Sequence, residues 1–166
     1  MESFMKKLLI LMVACAGLAV FSVKAQTVYE YTYPTPAQNL NENQQIVLSQ
    51  TPSGWVGYFH GTSDEFMDAR EGFLPGFFVL PMLELTMDKG SLSFSLKPGP
   101  EDIFTKPIPL NCKTSAEAKK LGFEKWPNAH LMQRSTPKKY TGTLKGSSLM
   151  VKDAQGRILE FKKKGL

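Results

Sequence analysis

Short stretches of alternating apolar and polar residues, each ended by a turn, constrain this chain more than any other feature. Between residues 91 and 97, Leu92, Phe94 and Leu96 alternate with Ser91, Ser93 and Ser95. Successive side chains of a strand point to opposite faces, so this pattern buries one face and wets the other. Trp55, Gly57 and Phe59 alternate in the same way with Val56, Tyr58 and His60, and Gly57 marks a bulge or a close approach of backbone. Residues 82–87 and 91–97 flank Asp88-Lys89-Gly90. That spacing predicts a hairpin with a three-residue loop, a bulge and Gly90 in the left-handed region. Residues 140–145, 148–153 and 157–163 form a meander whose last turn is Asp153-Ala154-Gln155-Gly156. Near the start, Tyr29, Tyr31 and Tyr33 share one strand face. Pro34-Thr35-Pro36 and an Asn- and Gln-rich stretch to Gln45 follow, and they read as a linker that leaves this strand loosely attached.

Two capping boxes interrupt the strands. Thr62-Ser63-Asp64-Glu65 predicts a short helix near 63–71, closed by Gly72; Thr114-Ser115-Ala116-Glu117 predicts another near 115–121, closed by Gly122. Residues 72–82 carry Phe73, Leu74, Phe77, Phe78, Val79 and Leu80, but Pro75, Gly76 and Pro81 predict irregular structure there. The sum is a mainly β chain: a single antiparallel β-barrel, which removes sheet edges, or alternatively a two-sheet β-sandwich. Gly54-Trp55-Val56-Gly57 on an early strand, followed by alternating hairpins to Phe161, resembles the small exported lipocalin-like (calycin) barrels. The pattern of that family is Gly-x-Trp, whereas here Gly54 directly precedes Trp55. The resemblance implies a ligand cup.

The first 25 of the 166 residues read as a signal peptide. Lys6 and Lys7 precede an apolar run over 8–23, and Val23 and Ala25 occupy the −3 and −1 positions of a cut before Gln26. The run is shorter than the roughly 20 residues a membrane-spanning helix needs, so no transmembrane anchor is expected after cleavage. The destination is periplasmic or secreted. A lipoprotein anchored through Cys15 is the alternative, although Met12-Val13-Ala14 before it match a lipoprotein signal poorly. The organisation is then a leader over 1–25, an N-terminal strand and linker over 26–45, and one β-rich domain over 46–166. An apolar fraction of 42% and a charged fraction of 21% exclude wholesale disorder.

Charge changes sign along the mature chain. Residues 26–110 carry ten acids and four bases, and residues 111–166 carry four acids and thirteen bases. Such asymmetry marks an anionic partner or self-association, unless the fold interleaves the halves. Nucleic acid is not an expected partner, because Lys162-Lys163-Lys164 is too short a run for a binding arm.

The candidates for chemistry are few. Asp64, Glu65, Asp68 and Glu71 fit a solvated helix face better than a metal site. His60 and His130 are the only histidines and lack zinc-ligand spacing, so no metal or other cofactor is expected. Cys112, the single cysteine after the leader, lies before the Thr114 cap. A thiol enzyme would use it as nucleophile with His130 as base and Asn128 as orienter. Ser135 and Lys138 match a Ser-x-x-Lys acylation motif without its companion motifs. Trp55, Phe73, Leu74, Phe77, Phe78 and Leu80 are the candidate ligand-binding residues, the stretch 73–80 either plugging one end of the barrel or lining a ligand mouth. Tyr29, Tyr31 and Tyr33 are candidates for binding a partner. Three functions stay open: a non-catalytic binding module for an apolar small molecule, an envelope protein-interaction module such as an inhibitor or assembly factor, and a thiol hydrolase centred on Cys112.

Overall fold

The computed structural model describes residues 25–32, 44–63, 76–127, 129, 136–153 and 155–165. Nine strands occur among them: β1 Thr27–Tyr31, β2 Gln44–Thr51, β3 Gly54–Thr62, β4 Phe77–Pro81, β5 Leu83–Asp88, β6 Ser91–Leu96, β7 Lys138–Lys145, β8 Ser148–Lys152 and β9 Ile158–Lys163. They form one antiparallel sheet in the order β4-β3-β2-β1-β9-β8-β7-β6-β5. A single sheet excludes the sandwich. The two ends of this order, β4 and β5, are consecutive in the chain and separated only by Met82. Residues 77–88 therefore leave β3 and arrive at β6, and the sheet curls into a nearly closed barrel. The Met82 amide donates to the Gly57 carbonyl at 2.9 Å, at the point where the two ends approach.

Residues 77–81 are a strand, not the irregular segment that the prolines predicted. Gly76 and Pro81 bound the strand instead of breaking it. Gly76 and Ser63 exchange hydrogen bonds, Ser63 N–H to Gly76 O at 2.8 Å and Gly76 N–H to Ser63 Oγ at 3.0 Å. Pro81 takes the last ladder position, opposite Tyr58, where strand prolines are tolerated. The β5–β6 loop has two residues, not three. Asp88 pairs with Ser91, and Lys89 (φ 45°) and Gly90 (φ 82°) are both left-handed. Two such residues twist in the sense that paired strands require. β1 is likewise not loosely attached: it pairs with β2 on one side and β9 on the other.

The helix near 115–121 forms as α1, Ser115–Lys120. Thr114 Oγ1 accepts from the Glu117 amide at 3.2 Å, as the capping box predicts, but the Glu117 carboxylate accepts from the Lys113 amide at 2.6 Å instead of from Thr114. Residues 64–75, where most of the other expected helix falls, lie outside the described residues.

Inward-facing alternation fills the middle of the barrel. Phe59 lies at its centre, with ring centroids 6.0 Å from Phe78, 6.3 Å from Phe94, 6.0 Å from Tyr140 and 6.2 Å from Phe161. Phe94 and Tyr140 are in register on β6 and β7, and their rings stack 5.0 Å apart. Ile103 and Trp126 join the same core and cover the end where β3 stops and β4 starts. A second cluster sits on the outer face. Val79 points away from the interior and is covered by Phe104, Ile108, Cys112 and Ala118. An outward apolar side chain needs such cover, and the long β6–β7 connection supplies it.

The two charge halves meet where β1 and β9 pair. Glu30 stands opposite Lys162 in register, and its carboxylate accepts from Lys164 Nζ at 2.8 Å and Gln45 Nε2 at 2.6 Å. Chain-order asymmetry is thus partly cancelled in space.

Phe59→Ala is expected to cost about 3–5 kcal/mol, because it removes the ring that four others pack against. Thr141→Ala, on the exposed face of β7, is expected to change stability by no more than about 0.5 kcal/mol. Urea unfolding of both variants checks the contrast.

Candidate functional site

Three two-residue turns, between β2 and β3, β5 and β6, and β7 and β8, gather at the end of the barrel opposite Ile103 and Trp126. The start of β1 joins them. The inward positions nearest this end enclose an open pocket of about 290 Å³, lined by Thr27, Tyr29, Leu48, Trp55, Met87, Lys89, Gly90 and Leu144. Its walls are mostly apolar. Tyr29 is buried, and Trp55 is half-buried. Burial pushes the Tyr29 phenol above its usual range, so the hydroxyl stays neutral and able to donate. The Leu144 amide donates to the Gly90 carbonyl at 2.7 Å. That bond ties the β5–β6 turn to β7 and holds Lys89 at the rim.

One wall of this mouth is the incomplete seam of the barrel. Backbone pairing between the sheet ends stops at Met82 and Gly57. Beyond it, β5 shifts register between Leu83 and Thr86, with Glu84 in the left-handed region at φ 52°. Such a bulge bends a strand away from its neighbour. Side chains seal the gap: a Cβ at Gly57 would stand 2.7 Å from Met82 Sδ and 3.0 Å from Leu85 Cδ2.

The sequence-derived residues are divided by the fold. Trp55 lines the mouth. Phe78 and Leu80 are in the barrel core. Phe77 is buried where its backbone exchanges two hydrogen bonds with Phe104, at 2.8 and 2.7 Å. Phe73, Leu74 and Tyr33 lie outside the described residues. Tyr29 contributes to the mouth, and Tyr31 packs on Phe161 with centroids 5.8 Å apart. Leu48, Met87, Lys89 and Leu144 were not singled out from the sequence. Their alternation marked inward faces, but which end of the barrel each reaches depends on register.

A larger cleft of about 450 Å³ runs along the β1–β9 seam, lined by Glu30, Tyr31, Thr32, Glu160, Lys162, Lys163 and Lys164. Its carboxylates are already engaged, Glu30 by Lys164 and Glu160 by the Ser148 hydroxyl at 2.7 Å. It also lacks the predominantly apolar lining that ligand pockets show.

Cys112 is buried, and its Sγ donates to the Thr114 carbonyl at 3.4 Å. Burial pushes the thiol up, opposed in part by its hydrogen bond to the Thr114 carbonyl, and the Glu117 carboxylate adds a smaller rise. His130 and Asn128, its possible partners, lie outside the described residues. His60 is buried on the outer face of β3, and neither ring nitrogen has a hydrogen-bond partner among the described residues. Burial lowers its pKa to about 4. No group of three or more His, Cys, Asp or Glu side chains able to hold a metal occurs among the described residues. No protein-family model, curated protein or solved structure matches the chain.

Two outcomes follow from the buried groups. The folded His60 pKa lies below the ordinary 6.5, so the unfolded chain takes up the proton first. Its contribution to stability is complete above pH 6.5 and is lost as pH falls toward 4, at up to about 1.4 kcal/mol per unit. Urea midpoints measured across that window should drop less steeply in His60→Gln than in the parent. Cys112 should react with a maleimide only on the timescale of unfolding at neutral pH; rapid labelling of the folded protein would contradict its burial.

Proposed function

We propose that this chain is an exported, non-catalytic binding module that takes an apolar small molecule at the mouth of its barrel. The observation that carries this reading is the pocket itself. Inward side chains from five strands converge on about 290 Å³ of mainly apolar space. That volume lies at the small end of the roughly 300–1,000 Å³ typical of ligand sites. The occupant is therefore a short chain or a single ring system, held against Trp55, Leu48, Met87 and Leu144. The leader-like residues 1–25 support a periplasmic or secreted destination. The up-and-down strand order is compatible with the lipocalin-like resemblance, and the aromatic layer around Phe59 makes the site a shallow mouth in place of a deep cup.

A second reading, an envelope protein-interaction module, is favoured by that same filled interior. Val56 and Leu83, each 39% exposed, also flank the incomplete seam between β3 and β5. A partner strand laid there would find exposed apolar side chains to cover.

Titration with N-phenyl-1-naphthylamine, an apolar fluorescent probe, separates the two. Saturable one-to-one uptake, weakened about tenfold by Trp55→Ala with folding retained, is the expected result. Absence of saturable uptake would remove the small-molecule reading. Native mass spectrometry of protein purified from its own envelope would then show whether a protein partner is retained.

A further inference from the structure

We propose that the mouth selects apolar molecules bearing one anionic group, with Lys89 as the counter-ion. The inference rests on the small-molecule reading above and gives the ligand its chemical class. Among the eight residues that line the pocket, Lys89 alone carries a formal charge, and no carboxylate shares the lining. No ion pair holds Lys89 among the described residues. The remaining polar groups of the pocket are the hydroxyls of Thr27 and Tyr29 and the indole N–H of Trp55, all able to donate to an anion. Every other wall is apolar. A neutral hydrocarbon would fill the walls and leave these donors at its boundary. A small monocarboxylate would place its chain between Leu48, Met87 and Leu144 and its head at the rim.

The backbone at Lys89 points the same way. The residue occupies the first central position of a two-residue turn with φ 45°, and Gly90 follows at 82°. Asn, Asp and Gly are favoured at that position, and a lysine carries strain that they avoid. The turn is also fixed from a third strand by the Leu144 to Gly90 hydrogen bond. A long cation thus stands, against local preference, on a turn that cannot easily swing away from the pocket. Its ammonium is exposed to water, so the pair it forms is screened. The expected gain is about three- to fivefold in affinity, and it should fade with added salt.

Octanoate and octan-1-ol share a chain and differ in head-group charge. Each is titrated against bound N-phenyl-1-naphthylamine at neutral pH, on the full mature protein, at low and at high salt. Octanoate should bind about three- to fivefold more tightly at low salt, and high salt should erase the difference. Lys89→Asn removes the charge and supplies a residue the turn prefers, so folding is retained and the two ligands should become equal. Lys89→Arg should keep the preference. Saturable probe uptake with equal displacement by both ligands would overturn the assignment of the anion while leaving the apolar site standing, as would a preference that survives in Lys89→Asn. Failure of the parent protein to take up the probe would overturn both.

Discussion

Closure of the barrel depends on how near the chain between β4 and β5 can come to β3, and Gly57 sets that distance. Where a side chain would begin, Met82 Sδ, Leu48 Cδ2 and Leu85 Cδ2 already crowd to within 3.0 Å. A larger residue would have to push one of them out. The bond from Met82 N–H to Gly57 O ties the strap between β4 and β5 to β3, so any such displacement acts on that backbone link. This approach lets one continuous run, residues 77–88, serve as both margins of the sheet. An otherwise open sheet thereby avoids two long free edges. The remaining gap runs beside Trp55 and Met87, which is why the pocket lies where it does.

Filling the interior and holding a ligand would draw on the same inward positions. A small antiparallel barrel has just enough interior for its own side chains. Here Phe59, Phe78, Phe94, Tyr140 and Phe161 consume the middle, and Ile103 and Trp126 the far end. What is left for a ligand is the last layer at the other end. There the inward positions hold Leu48, Met87 and Leu144, and the turns are too short to fold over them. On the proposed reading, a ligand at this shallow mouth would rest on the packed aromatic layer and would give up little to reorganisation of the protein.

Local pattern carried the strand faces well, and long-range packing decided what it could not reach. The alternation over residues 91–97 placed Leu92, Phe94 and Leu96 inside, and that over residues 55–60 set Trp55, Gly57 and Phe59 on one face and marked Gly57 as a bulge or a close approach, before any partner was known. The 77–81 segment misled because proline and glycine signal irregularity, whereas here they sit just outside the ladder or at its last position. The extra length given to the β5–β6 loop came from reading Asp88 as loop, when its pairing with Ser91 is set across the ladder. Tyr29 and Tyr31 shared a face as expected. That the face is interior follows only from β9 returning to pair with β1, from more than a hundred residues away. The mouth was legible in one residue, Trp55; the rest needed register.

Charge shows the same division between chain order and space. Glu30, from the acidic half, is satisfied by Lys164 and opposed by Lys162 from the basic half, so the seam of β1 and β9 absorbs part of the asymmetry. Beyond that seam the basic excess persists. Lys139, Lys145, Lys152 and Lys162 are all exposed on the outer face of β7, β8 and β9, where Glu160 is the acid of the same surface. Like charges spread across one sheet face repel modestly and are screened within about a nanometre at ordinary salt, so they do little to the fold. Their field extends toward the open end, because Lys145 and Lys162 flank Ser148 there in register. An anion approaching the mouth would meet that field before it met Lys89. The chain's late basic residues would then act on encounter rate, while the affinity itself would come from contacts inside the mouth.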